Sequence, residues 1–213
     1  MTRQKTAWFC AECGHKHVKW LGQCPSCSSW NTLQEEIDLS SLPKRFASEP
    51  LTAARPIRIT EIPPESHIRL ETGFLECDRL FGGGLAKGSL TLVGGDPGIG
   101  KSTLLLQLSH ALANKGLTVL YVCGEESVAQ TSLRAKRLGI GSDQLFLLSE
   151  TQFSLIKAHI EQLNPDILVI DSIQILYKHE LSSAPGSVSQ VRETATELMH
   201  LTKNRQMTTF LIG

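Results

Sequence analysis

The part of the chain from residue 67 onward alternates short apolar runs with longer segments of helical periodicity. The apolar runs have the length and the leucine, isoleucine and valine content of buried strands, and they cover residues 89–95, 117–124, 144–150, 166–172 and 207–213. The segments of helical spacing cover residues 102–116, 153–163 and 187–203. Buried strands that alternate with helices are typical of a parallel sheet covered on both faces. The pattern predicts an α/β fold with a mainly parallel sheet.

Residues 1–66 lack this alternation and divide into two parts. Residues 1–32 are rich in cysteine, whereas residues 33–66 carry five prolines, mixed charge and no sustained periodicity. This composition predicts an extended linker, with a short strand expected near residues 57–62. We therefore expect a cysteine-rich module at 1–32, a linker at 33–66 and an α/β core at 67–213.

Composition and charge exclude several classes of protein. The chain has 213 residues, of which 41% are hydrophobic and 20% charged, as in a globular protein. Basic and acidic residues balance at 21 each, so any nucleic-acid site must be local. No apolar run reaches the length of a membrane span, and the amino terminus lacks the apolar core of a signal peptide. We expect a cytoplasmic protein whose six cysteines stay reduced.

One glycine-rich segment lies between a predicted strand and a predicted helix. From Gly95 to Ser102 it reads G-x-x-x-x-G-K-S, which is the pattern of a phosphate-binding loop. Glycines let successive N–H groups point at phosphate oxygens, and a helix amino terminus favours an anion. We expect Lys101 to contact the β- and γ-phosphates of a nucleoside triphosphate and Ser102 to ligate Mg²⁺. The predicted nucleotide-binding residues are Gly95, Asp96, Pro97, Gly98, Ile99, Gly100, Lys101, Ser102 and Thr103.

Acidic residues follow two of the predicted strands. Asp171 ends an apolar run, and we expect it to complete the Mg²⁺ site with Ser102 through water. Glu125 and Glu126 follow another run, and hydrolysis requires a carboxylate that orients and polarises the attacking water. The sequence does not rank these two glutamates. Both are predicted catalytic residues, together with Lys101 and Asp171.

Four of the six cysteines form two C-x-x-C pairs separated by ten residues: Cys10, Cys13, Cys24 and Cys27. Each pair lets two thiolates reach one ion from a tight turn, and four thiolates make a closed tetrahedral site that suits structural Zn²⁺. A redox pair is disfavoured because no thioredoxin-like unit surrounds either motif. The sequence predicts a zinc knuckle whose folding depends on the metal.

The first residues of the knuckle are basic and aromatic. Residues 1–23 contain one acidic residue, Glu12, and four basic ones: Arg3, Lys5, Lys16 and Lys19. Three aromatic residues are interleaved with them: Trp8, Phe9 and Trp20. This mixture could contact nucleic acid through phosphate pairing and stacking. It could equally use the tryptophans as a miniature core. We favour the core for the tryptophans and leave the role of the cations open.

These motifs together resemble a known family. The phosphate loop with its lead-in TGFLECDRLFGGGLAKGSLTLVGGDPGIGKST, a glutamate on the next strand and a strand-end aspartate are similar to the RecA-type ATPases. The cysteine knuckle with WLGQCPSCSSWNT, GEES, RAKRLGI and SSAPGSVSQVRE narrows the resemblance to the bacterial DNA-repair members of that family. It extends over essentially the whole chain.

The resemblance implies an activity and partners that the residues alone do not. It implies a DNA-dependent ATPase that uses ATP with Mg²⁺, carries Zn²⁺, binds single-stranded DNA and drives branch migration of recombination intermediates beside RecA. It also implies a homo-oligomeric ring, a hexamer for the full-length family. The alternative is a non-catalytic module that binds zinc and nucleotide and docks on DNA or RecA.

The resemblance also assigns a DNA-facing segment. In RecA-type proteins the region that follows the strand with Asp171 faces the DNA channel, which makes Lys178, His179 and Arg192 candidate DNA-binding residues. Family members continue beyond the point that corresponds to Gly213, through further ATPase strands, a Lys-Asn-Arg-Phe-Gly motif and a Lon-protease-like domain. We therefore expect residues that complete the nucleotide and DNA sites to lie in that further part.

Overall fold

A computed structural model of the chain describes residues 6–10, 15–37, 57–61 and 69–213. The chain forms two compact units, residues 1–62 and residues 63–213, and each is described by itself. In the described parts of the chain, no helix combines the length and the apolar character that crossing a membrane requires.

The first unit contains a small antiparallel sheet. Its strands are β1 (Thr6–Cys10), β2 (Lys16–His17) and β3 (Leu33–Ile37), in the order β2-β1-β3. Strand β3 pairs with β1 along its whole length, from Thr6 opposite Ile37 to Cys10 opposite Leu33. The structure thus differs from the sequence-based boundary, because the first residues of the predicted linker belong to this sheet. Farther along, Ile59–Glu61 forms a turn of 3₁₀ helix rather than the expected strand.

The core of this unit is minimal. Cys10, Cys24 and Leu33 are buried, and Trp8 and Leu21 pack against them. The prediction that the tryptophans form a miniature core is confirmed for Trp8 and wrong for Trp20, whose side chain is 52% exposed. So small an apolar cluster cannot stabilise a fold alone, which agrees with a module that depends on a metal.

The second unit is built on a five-stranded sheet in which every pairing is parallel, as predicted. The strand order is β4-β8-β7-β5-β6. The strands are β4 (Leu90–Val93), β5 (Val119–Cys123), β6 (Leu145–Leu148), β7 (Ile167–Asp171) and β8 (Thr208–Ile212).

Five helices accompany the sheet: α1 (Leu75–Leu80), α2 (Lys101–Ala113), α3 (Val128–Arg137), α4 (Phe153–Leu163) and α5 (Val188–Arg205). The boundaries of α4 coincide with the predicted segment, and those of α2 and α5 lie within a few residues of it. Helices α1 and α3 were not assigned from the sequence: α1 has only six residues, and α3 is largely polar, with Thr131 and Ala135 as its buried residues.

The central strands divide the interior into two cores. In β7, Ile167 and Val169 pack on the α2 and α3 side, whereas Leu168 and Ile170 pack on the α4 and α5 side. This is the period-two alternation of strand side chains, with both faces buried. Asp171 continues the first set, so the alternation directs its carboxylate to the α2 side of the sheet.

A polar network ties α4 and α5 to the segment that follows β7. The carboxylate of Glu197 accepts hydrogen bonds from Lys157 at 2.9 Å and from Lys178 at 2.6 Å. The Lys178 ammonium also lies 5.6 Å from the centre of the Phe153 ring. Burial by itself would raise the pKa of Glu197, but the two lysine hydrogen bonds hold it below its ordinary value.

Replacing Glu197 by Gln should therefore destabilise the second unit in a pH-dependent way. Because the folded-state pKa is lowered, the charged carboxylate stabilises the fold above the ordinary pKa of about 4.5, and this contribution is lost as the pH falls through the folded-state pKa. We expect a cost of about 1 kcal/mol near neutral pH, allowing for solvent screening of a partly exposed group. Urea unfolding across the pH range measures it.

Glu161→Gln is the matched control, because Glu161 pairs with Arg205 only at 3.9 Å and is more exposed. Its effect should be small at every pH. A Glu197→Gln variant as stable as the parent at neutral pH would contradict a stabilising network.

Candidate nucleotide-binding cleft and metal centre

The loop between β4 and α2 has the backbone that a phosphate cradle requires. Gly95, Gly98 and Gly100 have φ values of 151°, 81° and 104°, which residues other than glycine rarely adopt. Gly100 caps α2, so the helix begins at Lys101 with its first N–H groups free of helical partners. Helix dipole and loop amides together favour an anion at this point.

A cleft of about 540 Å³ opens over this loop. Seven of the nine predicted nucleotide-binding residues line it, and Asp96 and Ile99 do not. The lining residues are Gly95, Pro97, Gly98, Gly100, Lys101, Ser102, Thr103, Glu125, Arg134, Asp171, Ser172, Gln174, Ile212 and Gly213. The parallel sheet thus brings the carboxyl ends of β5, β7 and β8 to the phosphate loop, as the fold class leads one to expect.

Lys101 lies across the loop that precedes it. Its ammonium donates hydrogen bonds to the carbonyl oxygens of Gly95 at 2.6 Å and of Asp96 at 3.1 Å. The positive charge is therefore held at the mouth of the cradle. Asp96 contributes through its backbone oxygen.

Asp171 is held by a buried tyrosine that the sequence analysis did not identify. Tyr121, two residues before the end of β5, donates a hydrogen bond from its hydroxyl to Asp171 Oδ2 at 2.7 Å. The same hydroxyl lies 3.4 Å from the backbone oxygen of Ser102. Burial, reinforced by the Asp171 charge, raises the pKa of Tyr121 far above its ordinary value, so the phenol remains a donor. The tyrosine fixes the aspartate beside the start of α2.

The two glutamates after β5 have different surroundings. Glu125 lines the cleft and accepts a hydrogen bond from the Ser172 hydroxyl. Glu126 does not line the cleft and forms an ion pair with Arg134 of α3. Arg134 in turn lines the cleft, so it brings a second positive charge to it. The sequence offered no signal for this arginine, because its position depends on where α3 packs.

Gly124 allows a close approach behind Glu125. A Cβ atom at this position would lie 1.7 Å from Ile175 Cδ1 and 2.9 Å from Ile175 Cγ1. Its N–H donates to the Asp171 carbonyl oxygen at 2.8 Å. A side chain at this position would require the Ile175 side chain to move, so glycine allows the close contact with the segment after β7.

The three candidate DNA-binding residues have unequal exposure. Lys178 is 16% exposed and paired with Glu197, whereas His179 and Arg192 are exposed. The loop that contains Lys178 is anchored by the buried Gln190 side chain. Gln190 accepts a hydrogen bond from the Lys178 N–H at 2.9 Å and donates to the Ser183 carbonyl oxygen at 2.9 Å.

Three of the four predicted metal ligands converge in the first unit. The Sγ atoms of Cys10, Cys24 and Cys27 all lie within 4.8 Å of one another. Those of Cys10 and Cys27 are 3.6 Å apart, close to the separation of about 3.8 Å that a tetrahedral ion with 2.3 Å metal–sulfur bonds imposes. Cys13, the fourth predicted ligand, lies outside the described residues. The sulfur donors and their spacing fit a closed tetrahedral metal site.

Two polar side chains lie beside these sulfur atoms. The Thr32 hydroxyl is 3.2 Å from Cys10 Sγ, and His17 Nε2 is 3.5 Å from Cys24 Sγ. When the cysteines are thiolates, the hydroxyl and the imidazole N–H must act as donors. Such donors offset the charge that several thiolates bring to a buried ion.

Removing the Tyr121 hydroxyl tests its role in the cleft. Tyr121→Phe leaves the nearly buried Asp171 carboxylate without its short hydrogen bond. We expect the free energy of unfolding to fall by about 2 kcal/mol, with weaker binding of Mg²⁺–nucleotide. Urea unfolding and calorimetric titration measure the two effects. Tyr177→Phe is the control, because the Tyr177 ring contacts His179, with the ring centroids 5.2 Å apart, rather than the Asp171 carboxylate. Equal effects of the two changes would contradict the assignment.

Comparison with known proteins agrees with both sites. Residues 57–213 match a family described as an AAA domain, and residues 8–35 match one described as a rubredoxin metal binding domain. The chain is 57% identical over 212 residues to the DNA repair protein RadA of Chlamydia muridarum, covering all of this chain and 46% of that protein. It is 46% identical over 216 residues to the DNA repair protein RadA of Bacillus subtilis, covering 47% of that protein.

The chain thus spans about half the length of the curated relatives it matches. These similarities confirm the resemblance to bacterial DNA-repair ATPases that the sequence motifs indicated. The AAA-domain match covers the phosphate loop, the strand-end acids and every strand of the parallel sheet. On this evidence the chain belongs to the AAA domain family.

Proposed function

We propose that this chain is the nucleotide-hydrolysing part of a DNA repair ATPase. The observation that carries the proposal is the meeting of Lys101, Glu125 and Asp171 in one cleft over a glycine-rich loop. A cation, a strand-end aspartate and a glutamate at the cleft wall are the groups that phosphoryl transfer to water requires. Similarity to DNA repair proteins supports the biological role.

Each residue has a distinct part in hydrolysis. The loop amides and Lys101 hold the phosphates of ATP and offset the charge that develops on them. Ser102 and Asp171 would hold Mg²⁺, which neutralises phosphate charge when bound. Glu125 polarises the attacking water, and its contact with Ser172 orients the carboxylate. Glu126 holds Arg134 at the cleft wall, where the guanidinium would add positive charge near the phosphates of a bound nucleotide.

We propose that the first unit binds Zn²⁺ through Cys10, Cys13, Cys24 and Cys27. We call the part of this unit that carries β1, β2, β3 and the cysteines the ribbon. Sulfur donors and a closed site favour zinc over magnesium or calcium, which prefer oxygen. Among the described residues of this unit, the buried core consists of Cys10, Cys24 and Leu33, so the metal supplies much of the folding free energy.

For the whole protein we propose a cytoplasmic, ring-shaped oligomer, a hexamer, that binds single-stranded and branched DNA. It would promote branch migration beside RecA, with DNA stimulating its ATPase. These properties follow from the family resemblance, and the match to DNA repair proteins over the full length of this chain supports them.

Within the second unit, the exposed side chains of Arg192 and His179 are the better candidates for phosphate contacts. Lys178 is engaged by Glu197, so a DNA contact would require it to leave that partner. A non-catalytic module that binds zinc and nucleotide and docks on DNA or RecA is the second candidate, since the glycine-rich loop and the cysteine cluster would serve binding alone as well.

Substituting each glutamate in turn distinguishes the proposed catalytic role of Glu125 from the structural role of Glu126. Glu125→Gln should lower steady-state ATP hydrolysis by about 100-fold or more, because it removes the group that polarises water, while ATP binding persists. Glu126→Gln should lower it less than tenfold. Phosphate release measures the rates, and fluorescent-nucleotide titration measures binding. The reverse ranking would contradict the assignment, whereas binding without turnover in the unmodified chain would favour the non-catalytic module.

Measurements of DNA affinity and of the free energy of unfolding distinguish the expected roles of Arg192 and Lys178. Arg192→Ala should weaken single-stranded DNA binding and reduce its salt slope by about one, because one phosphate contact is lost, without altering the free energy of unfolding. Lys178→Ala should lower stability through Glu197. Fluorescence anisotropy with a labelled oligonucleotide and urea unfolding make the comparison. Arg137→Ala, an exposed arginine at the end of α3, is the control, and a loss of affinity as large as that of Arg192→Ala would contradict a specific contact.

A further inference from the structure

Two tryptophans of the first unit are not part of its core. Trp20 is 52% exposed and Trp30 is 68% exposed, and the neighbouring Val18 is 95% exposed. Large aromatic side chains lose most of their hydrophobic benefit in such positions, and an exposed aromatic patch indicates a binding surface more often than an accident of packing.

The two indoles both lie close to one glycine. A Cβ atom at Gly22 would lie 3.8 Å from the ring of Trp20 and 3.8 Å from the ring of Trp30. Both rings therefore lie close to the backbone of Gly22, which has no side chain to separate them from it. We call Trp20, Gly22 and Trp30 the indole cleft.

The indole cleft is fixed to the metal site. Gln23 and Trp30 form an antiparallel bridge, and the Asn31 N–H donates to the Gly22 carbonyl oxygen at 2.9 Å. The hairpin that these contacts close carries Cys24 and Cys27, so a bound metal holds the two rings in place. A surface organised in advance loses little entropy when it binds a partner.

The segment that carries the indole cleft has basic residues and no acidic ones. Residues 15–32 include Lys16 and Lys19 and contain no aspartate or glutamate. Lys19, next to Trp20, is exposed. Aromatic faces beside a cation are the combination that binds single-stranded nucleic acid through base stacking and phosphate pairing. The second unit offers no tryptophan for such stacking, since all three tryptophans lie at positions 8, 20 and 30.

We propose that the indole cleft is a second contact for single-stranded DNA, separate from the loop of the second unit. One or two bases stack on Trp20 and Trp30, and Lys19 pairs with an adjacent phosphate. The proposal rests on the proposed single-stranded DNA binding and assigns part of it to the ribbon.

The distribution of tryptophan makes the test direct, because intrinsic tryptophan fluorescence reports on the ribbon alone. Titration of the metal-loaded 213-residue chain with unlabelled oligo(dT) should quench this fluorescence. Trp20→Ala and Trp30→Ala should each weaken binding roughly tenfold, as expected for the loss of one stacked base. Lys19→Ala should reduce the salt slope by about one.

Trp8→Phe is the matched control, because Trp8 packs against the core and lies outside the indole cleft. It should keep both the affinity and the quenching from the other two tryptophans. The zinc content of each variant shows whether the ribbon is intact, and the exposed positions of Trp20 and Trp30 predict full metal loading.

The outcomes separate the inference from the proposed function. Anisotropy that shows DNA binding without quenching, and unaffected by Trp20→Ala or Trp30→Ala, would overturn the indole cleft and leave DNA binding by the second unit intact. No binding in either measurement would overturn both. Quenching by purified RecA but not by oligo(dT) would show that the indole cleft is a protein-docking surface and would also overturn the proposal.

Discussion

The parallel pairing of β5 with β7 is the constraint on which the nucleotide-binding cleft depends. Cys123 lies opposite Asp171 in this register, and the Gly124 N–H donates to the Asp171 carbonyl oxygen at 2.8 Å. Because strand side chains alternate, a slip of one residue would turn Asp171 to the opposite face of the sheet. The same register sets Tyr121 against Asp171 and places Glu125 at the cleft wall. One strand pair thus positions both acidic groups relative to the phosphate loop.

Much of this arrangement could be predicted from the sequence. The phosphate loop is a local feature, since glycine spacing, the preceding strand and the following helix all lie within some thirty residues. Strands β5, β7 and β8 are buried along their whole length, and their near-continuous apolar composition identified them. The partners of side chains were less predictable. Nothing in the sequence indicated that Glu126 pairs with Arg134 or that Lys178 is held by Glu197, because both contacts depend on where a helix packs against the sheet.

The ribbon shows a different limit. Its cysteine spacing predicted a metal site, and three of the four sulfur atoms converge as expected. The prediction that its tryptophans form a core was wrong for Trp20 because buried cysteines and Leu33 already occupy the interior. Where a metal replaces a hydrophobic core, large apolar side chains remain available for binding. The carboxyl-terminal boundary of the ribbon could not be predicted from the sequence either, because β3 is short and polar and is identified by its pairing with β1.

The most direct test of the central claim is steady-state ATP hydrolysis by the 213-residue chain, with and without single-stranded DNA, beside Lys101→Ala. If the cleft is a working nucleotide site, turnover should rise with DNA and vanish in the variant, whose loop has lost the charge that faces the phosphates. Turnover that persists unchanged in Lys101→Ala would contradict the account.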